Sequence, residues 1–429
     1  MEKGKETKKG MHRAWVIMIA CCFLMMTLAL ATTIMGFFIQ AVSGDLGFDR
    51  SAFSLYITLA GIAGMIAMPI WGRVAAKIGV RKMVLIAGAC CSVFIALLGF
   101  CNSLPMFYIA GACMGATLVG TNVLPTSILI NTWFDEKRGF AMGVAMAFSG
   151  VAGTIFSPIV SGVINGIGWQ TGYFLVAVLM LVFTVPVALL LIKDSPAQMG
   201  LTPYGAKETS EQASTEEVAG VPAGRAFKSL AFIALGLAIL LINAVGGVLQ
   251  NLSGHITNLG IDPASAAMAI SVITFTLIFS KIVLGMINDK FGVSAATIIS
   301  FALLAAGCAL FAFANDFTMV LVSAVVYGLG ASCLTVMAPL ITGKMFGQRD
   351  YSSIYSVIGS LASLGLAIGV PLIALNYDVA GNYVVALLVC AVIMVISIFL
   401  VLYALAASKK LWNTADKQES VQASEPQAS

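Results

Sequence analysis

The stretch that decides the fold runs from Asp262 to Gly292 and reads DPASAAMAISVITFTLIFSKIVLGMINDKFG. It predicts one membrane-spanning helix, because about 20 apolar residues are enough to cross ~30 Å of hydrocarbon. Inside this span lies Lys281, a formal charge well within an apolar segment and without a carboxylate near it in sequence. A charged side chain is costly in hydrocarbon. We therefore expect an anion from outside the chain to neutralise Lys281.

The composition places the whole chain in the same class. Of its 429 residues 60% are hydrophobic and 10% are charged, and the mean hydropathy is +1.00. Such a chain is too apolar for a soluble protein and is typical of a membrane protein with many spans. The net charge of +4 does not indicate nucleic acid as a partner, because the basic residues form short clusters between apolar spans.

The sequence gives little support to catalysis. It has no phosphate-binding loop, no cysteine or histidine spacing suited to a metal, and only His12 and His255 as histidines. We predict neither an enzyme nor a metal site, and no cofactor.

Twelve apolar segments follow one another along the chain. They cover residues 15–40, 52–70, 83–101, 105–131, 140–165, 170–192, 228–254, 263–286, 294–313, 317–343, 351–375 and 381–407. Each is near the length that crosses a bilayer. The predicted fold is an all-α membrane protein with twelve transmembrane helices.

Basic residues are distributed unequally between the two sides of these spans. Alternate connections and both ends of the chain carry almost all of them, whereas the connections on the other side carry Arg50 alone. Because connections rich in Lys and Arg stay in the cytoplasm, both termini are predicted to be cytoplasmic. The expected location is the plasma membrane, and in the first place the cytoplasmic membrane of a bacterium.

The polar interval after the sixth span divides the chain into two parts. We predict a cytoplasmic head (1–13), a six-helix half (14–192), a flexible cytoplasmic linker (193–227), a second six-helix half (228–407) and a cytoplasmic tail (408–429). An internal repeat supports this division. Residues 72–79 (GRVAAKIG) and 285–292 (GMINDKFG) share their glycine frame at an offset of 213 residues, and Pro158 matches Pro371 at the same offset. The halves are therefore expected to be pseudo-symmetric.

These two glycine-framed basic loops, in a six-plus-six layout, resemble the major facilitator superfamily over residues 14–407. In this resemblance the loop residues Arg73, Lys77 and Asp289 have a gating or proton-linked role. The first loop departs from the family pattern, since Ala76 stands where an acidic residue is usual and Asp289 keeps it in the second loop. A latch on the first loop's carboxylate is therefore not expected.

Residues 131–159, 194–205 and 346–359 resemble the oxalate/formate antiporter and monocarboxylate porter branch. In that branch an arginine four residues before the loop glycine binds the carboxylate, and the matching position here is Lys281. Proton-coupled members often have an aspartate where this chain has Leu277. Oxalate exchangers have a second cation in the eleventh helix, whereas 351–375 contains neither Lys nor Arg. One cation suits a monoanion better than a dianion, so a monocarboxylate is favoured over oxalate.

Further candidates come from the superfamily arrangement, in which the first, fourth, seventh and tenth spans line the cavity. Their polar residues are the candidate substrate-binding groups: Thr33, Thr121, Asn122, Asn243, Gln250 and Tyr327. The same groups can instead bond across helices as packing contacts. His255, near the outer end of the seventh span, is a gating or proton-linked candidate, or an interfacial histidine bonded to backbone or water. Lys281 itself has an alternative, because a lysine stem can reach the headgroup region.

The sequence thus favours a secondary transporter of small organic anions, in the first place a monocarboxylate. It would work by alternating access, as an antiporter or a proton-coupled symporter. The expected partners are the organic anion, the lipid bilayer, and protons or a counter-anion. An exporter of amphipathic drugs or larger organic acids is the first alternative, and a membrane sensor that does not transport is the second.

Overall fold

In the computed structural model the chain is almost entirely helical. It describes residues 12–206 and 220–424, so most of the predicted head, the centre of the linker and the last five residues lie outside the described part. The N-terminal half contains α1 (Arg13–Ala31), α2 (Met35–Leu46), α3 (Arg50–Ile78), α4 (Val80–Leu98), α5 (Leu104–Leu118), α6 (Val123–Trp133), α7 (Arg138–Gly166) and α8 (Trp169–Leu190). After α9 (Ala223–Phe227), the C-terminal half contains α10 (Leu230–Val245), α11 (Gly247–Asn258), α12 (Pro263–Ala312), α13 (Phe317–Ala331), α14 (Cys333–Phe346), α15 (Tyr351–Ala380) and α16 (Val384–Ser424).

Within the described ranges, 11 helical segments are long and apolar enough to cross a membrane. One of them, Ala264–Ala312, has 49 residues and would extend roughly 70 Å as a single helix. Its backbone turns at Gly292, where φ is +84°, so this segment makes two crossings. Gly79 makes the same turn between α3 and α4 with φ of +85°. The glycine frames of the two loops therefore supply a backbone conformation that other residues rarely adopt, and the number of crossings is the predicted twelve.

Four spans are each built from two helices joined end to end. The interruptions lie at Thr33 between α1 and α2, at Gly120 between α5 and α6, at Gly246 between α10 and α11, and at Ser332 between α13 and α14. The second pair of breaks follows the first at the repeat spacing of 212 or 213 residues. Non-helical backbone at membrane depth is tolerated where it is buried in protein or lines a water-filled cavity. These breaks therefore mark the level at which a central site is expected.

Both ends of the described chain lie on one side of the bundle, which we call the terminal face. The Arg13 guanidinium donates to the carbonyl oxygen of Leu191 over 3.3 Å, just beyond the end of α8. The Trp412 indole donates to the carbonyl oxygen of Met345 over 2.8 Å, at the end of α14. The opposite face contains the start of α3 and the connection between α11 and α12.

The two halves pack closely along the terminal-face portions of four helices. The Ser360 hydroxyl on α15 donates to the carbonyl oxygen of Met65 on α3 over 2.9 Å. On the other side of the bundle, α7 and α12 approach each other at Gly139 and Gly285 without room for a Cβ atom on either.

The same helices also have partners within their own half. Gly64 of α3 packs on Gly115 of α5, and Gly369 of α15 packs on Ala244 of α10. At the same time Gly162, near the far end of α7, has open space where a Cβ would stand. The bundle is thus closed at the terminal face, where the two halves are in contact.

The two described ends of the linker are docked at equivalent places on the two halves. The backbone N–H of Tyr204 donates to the carbonyl oxygen of Trp133 over 2.9 Å, beside the connection between α6 and α7. The N–H of Val221 donates to the carbonyl oxygen of Phe346 over 2.8 Å, at the end of α14. Trp133 and Phe346 differ by the repeat spacing, so each half holds one end of the linker.

Candidate functional site

Lys281 lies where α12 crosses α7 of the other half. Its side chain is 6% exposed. The ammonium nitrogen Nζ donates to the carbonyl oxygen of Met146 over 3.1 Å and to the hydroxyl oxygen of Ser149 over 3.3 Å. Both acceptors belong to α7, so the lysine joins the two halves. The amine is buried within the protein.

The surroundings of Lys281 provide no formal negative charge. Among the described residues, it is the one Lys, Arg, Asp or Glu side chain that is buried. The ion pair found in this part of the chain joins Arg138 and Asp135 at 3.6 Å, at the terminal face. A buried ammonium with two neutral acceptors remains uncompensated, and such a charge in a membrane is a candidate functional group.

Neighbouring contacts place Lys281 at the level of the helix breaks. The hydroxyl of the preceding residue, Ser280, donates to the carbonyl oxygen of Leu329 over 2.5 Å, and its oxygen lies 2.9 Å from the Ser332 hydroxyl oxygen. Ser332 is the break between α13 and α14. On the other side of the amine, Gly153 of α7 faces Ala29, close to the break in the first span. The lysine is therefore central in the bundle as well as buried.

Glycines keep the backbones of α7 and α12 close on both sides of this lysine. A Cβ on Gly143 would overlap the backbone of Lys281 itself, and one on Gly150 would lie 2.6 Å from the Cγ1 atom of Ile278. Because the contact is formed by backbone atoms, rotation of side chains cannot relieve an added carbon at Gly143. The position of the amine and the packing of the halves are thus linked.

Three of the predicted binding residues lie at or beside breaks of the N-terminal half. Thr33 is exposed within the break of the first span. Thr121 and Asn122 are buried in the break between α5 and α6. The Thr121 hydroxyl donates to the carbonyl oxygen of Leu118 over 2.7 Å, and the Asn122 side-chain oxygen accepts from the N–H of Val123 over 2.5 Å. These two bonds stabilise the break.

The other three lie in the C-terminal half. Asn243 is half-buried and donates to the carbonyl oxygen of Ile239 over 2.9 Å, whereas Gln250 is exposed on α11. Tyr327 is fully buried against Gly307 and the ring of Phe311. The structure therefore places Tyr327 in helix packing, and its binding role stays a prediction.

His255 lies near the opposite face and is buried. Its ring nitrogen Nε2 is 2.9 Å from the carbonyl oxygen of Phe311, and its ring meets Tyr383 edge to face. These contacts fix the ring within the C-terminal half. Its gating or proton-linked role stays a prediction.

The gating candidates of the two glycine-framed loops lie at the terminal face. Asp289 accepts hydrogen bonds from the backbone N–H groups of Gly139 over 2.6 Å and Phe140 over 2.7 Å, at the first turn of α7. A carboxylate at a helix N-terminus satisfies unpaired N–H groups and interacts favourably with the helix dipole. Asp289 thus ties the C-terminal half to the N-terminal half. Arg73 and Lys77 are exposed at the end of α3.

We call the closed contact between the two halves at the terminal face the gate. It also contains an unsatisfied polar group. Asn131, at the end of α6, is buried, and neither atom of its amide group has a hydrogen-bond partner in the described part of the chain. Its side-chain oxygen faces Gly343 on α14 of the other half. An unsatisfied buried group costs about 1–3 kcal/mol. The gate therefore contains the Asp289 cap, which favours closure, and the buried amide of Asn131.

A cavity of about 570 Å³ lies between the halves beside this gate. It is lined by residues 135–138 of one half and by Asn288, Asp289 and Lys344 of the other.

Sequence reasoning identified Asp289 but missed Asn131, Met146 and Ser149. The partners of Lys281 lie 135 and 132 residues away from it, on another helix. No spacing in the sequence indicated that contact.

Replacing Asp289 with alanine is expected to shift the molecule toward the state that is open at the terminal face. Loss of a helix cap costs about 0.5–2 kcal/mol, which corresponds to a shift of about 2-fold to 30-fold. The measurement is the labelling rate of an Asn131→Cys variant, without the nine native cysteines, by an impermeant thiol reagent at the terminal face. Asp262→Ala is the matched control, because Asp262 accepts from the N–H groups of Ala264 and Ser265 within its own half. Equal labelling of the two variants would contradict the role given to Asp289.

Comparison with known families identifies the architecture. The family model of the Major Facilitator Superfamily matches residues 19–253 and again residues 231–426. The chain belongs to the major facilitator superfamily. It is therefore a multi-pass membrane transporter with a small-molecule substrate, and the prediction that it is not an enzyme is confirmed by this membership.

Curated relatives and solved structures agree with the superfamily assignment. The chain is 25% identical to Monocarboxylate transporter 13 of Rattus norvegicus over 357 residues, which cover 82% of this chain and 79% of the relative. It is 24% identical to Monocarboxylate transporter 2 of Homo sapiens over 359 residues, covering 80% and 75%. The solved proton:xylose symporter shares the fold with a TM-score of 0.73 at 13% identity, covering 93% of this chain and 99% of that chain. The predicted resemblance to the superfamily and its monocarboxylate porters is confirmed.

Proposed function

We propose that this superfamily member transports a small organic monoanion, with a monocarboxylate as the first candidate, by alternating access. The observation that carries the proposal is the buried Lys281 ammonium at the level of the helix breaks. Its two partners in the described residues, Met146 and Ser149, are neutral. A carboxylate there would form a charge-assisted hydrogen bond, which is roughly twice as strong as a neutral one.

A monoanion fits this site better than a dianion. No second Lys or Arg among the described residues is buried. The second carboxylate of a dianion would lose its hydration without gaining a partner. The cost of burying that charge is offset only where an opposite charge lies close to it. The names of the rat and human relatives state monocarboxylates as the substrates of those proteins, which supports the same class here.

We further propose that the terminal face is cytoplasmic and that the protein lies in the plasma membrane. The support is the concentration of Lys and Arg at that face, where positively charged connections are retained. The closed terminal face would then make the described state outward-facing. An epitope added after Ser429 should be reached by antibody after permeabilisation, and labelling of intact cells would contradict this orientation.

The test of the substrate class is counterflow in proteoliposomes that contain purified protein. Labelled formate, acetate, lactate, oxalate and an aromatic acid are exchanged against each unlabelled acid. We expect counterflow of at least one monocarboxylate and none of oxalate. Imposed pH gradients and counter-anion gradients then distinguish proton symport from exchange. Movement of amphipathic drugs without any of these acids would contradict the proposal, as would binding without flux.

A further inference from the structure

Among the described residues, Ser149 is the one side chain of the N-terminal half that is hydrogen-bonded to the Lys281 ammonium. Its hydroxyl oxygen Oγ is 3.3 Å from Nζ, and the hydroxyl donates to the carbonyl oxygen of Met146 over 2.8 Å. Lys281, Ser149 and the Met146 carbonyl therefore form one small polar cluster across the interface of the halves. Sequence reasoning assigned no role to Ser149.

The hydrogen-bond donors of this cluster outnumber its acceptors. The Met146 carbonyl accepts from both the ammonium and the Ser149 hydroxyl, and its position inside α7 also gives it a backbone N–H partner. One neutral oxygen is thus shared by several donors. An ammonium carries three donors, and the two acceptors found here are neutral. A better acceptor with a negative charge would be favoured by both side chains.

We propose that Ser149 completes the anion site, so that a bound carboxylate is held by Lys281 from one half and by Ser149 from the other. On binding, the carboxylate displaces the Met146 carbonyl as acceptor of both donors. The two oxygens of a carboxylate can accept from two donors that are this close together. This inference rests on the proposed function, because it assigns a second binding group to the same anion.

The backbone contact between α7 and α12 beside the cluster links anion binding to the movement of the two halves. The Gly143 contact with the Lys281 backbone keeps α7 and α12 close together. A ligand that bonds to both helices replaces a direct bond between the halves with one that passes through the ligand. The halves can then separate at the terminal face while each keeps its own bond to the anion until release.

The test compares Ser149→Ala, Ser149→Thr and wild type for half-saturation and maximal rate of counterflow, with labelled formate, acetate and lactate as the probes. Ser149→Ala is expected to raise the half-saturation concentration about 10-fold, equivalent to ~1.4 kcal/mol, with the maximal rate changed less than about 3-fold. Ser149→Thr keeps the hydroxyl and should remain within about 3-fold of wild type. Ser92→Ala is the matched control, because Ser92 is a buried hydroxyl of the same half that donates to the carbonyl oxygen of Gly88 over 2.8 Å.

A second comparison separates this inference from the proposed function. In a Lys281→Met background, Ser149→Ala should add no further loss, because the carboxylate no longer docks there. An unchanged half-saturation concentration in Ser149→Ala, with a large loss in Lys281→Met, would overturn the role of Ser149 and leave the proposed function intact. A lower maximal rate with unchanged half-saturation would also overturn it, since Ser149 would then act in helix packing. No effect of Lys281→Met would instead contradict the proposed function.

Discussion

Replacing Lys281 with methionine is expected to lower the initial rate of monocarboxylate uptake by a factor on the order of 100 to 4,000. Methionine keeps an unbranched side chain of similar length and removes the charge. The substrate carboxylate then enters a buried site without its partner, and breaking a buried ion pair costs about 3–5 kcal/mol. Since each 1.4 kcal/mol is tenfold, this cost gives the expected range. The measurement is uptake of labelled acid into proteoliposomes below saturation.

Two matched variants make this result specific. Lys82→Met removes a lysine that is exposed at the terminal face on α4, and its uptake should stay within about 2-fold of wild type. Lys281→Arg retains the charge and should retain part of the uptake, although a planar guanidinium replaces a compact ammonium. Undiminished uptake of every tested acid by Lys281→Met would contradict the assignment of the site.

Replacing Gly143 with valine is expected to lower counterflow by a factor of about 10 to 100. A Cβ at this position would lie 3.1 Å from the Cα atom of Ile282 and still closer to the carbonyl oxygen of Lys281. Overpacking of this kind typically costs 1–3 kcal/mol, and here the neighbouring atoms are backbone. The halves should therefore be unable to close at the terminal face. Thiol labelling of the Asn131→Cys variant from that face should rise in parallel.

The control for this prediction lies on the same helix. Gly162 has open space where a Cβ would stand, so Gly162→Val should leave counterflow within about 2-fold of wild type. Gly143→Val and Gly162→Val introduce the same side chain at two different positions of α7. Wild-type counterflow by Gly143→Val would show that the halves do not need this close approach.

The sequence was sufficient for the fold because its strongest signals are local. Apolar length predicts the crossings, and the glycine frames predict the turns at Gly79 and Gly292, where φ is positive. The breaks of the four interrupted spans were not predicted. Thr33, Thr121 and Asn122 were recognised as polar candidates for the cavity, and the bonds of Thr121 and Asn122 to nearby backbone groups become visible in the structure alone.

The site was predicted in part, since the charge of Lys281 stands out and its neighbours do not. Helices that are apolar on all sides carry no hydrophobic pattern that separates a central face from a packing face. Tyr327 was placed among the cavity residues without such a pattern; the structure buries it against Gly307 and Phe311, and its binding role stays a prediction. Ser149 was overlooked because its partner is on the other half.

The asymmetry of the two loops has a structural counterpart. Asp289 caps α7 across the interface, as a carboxylate in the second loop can. Ala76 cannot accept hydrogen bonds at the equivalent place in the first loop. There the halves meet through Gly72, where a Cβ would lie 2.7 Å from the carbonyl oxygen of Ser352 on α15. Both loops thus pack closely at their first glycine, and the second adds the charged cap of Asp289.

The most direct test of the central claim is equilibrium binding of labelled formate, acetate and lactate to purified wild type and Lys281→Met. Binding is measured without flux, so changes in the rate of conformational exchange do not affect it. If the Lys281 ammonium is the partner of the carboxylate, at least one acid binds saturably to wild type and its affinity falls on the order of 100-fold or more in Lys281→Met. Equal affinity in the two proteins would place the anion elsewhere and contradict the account.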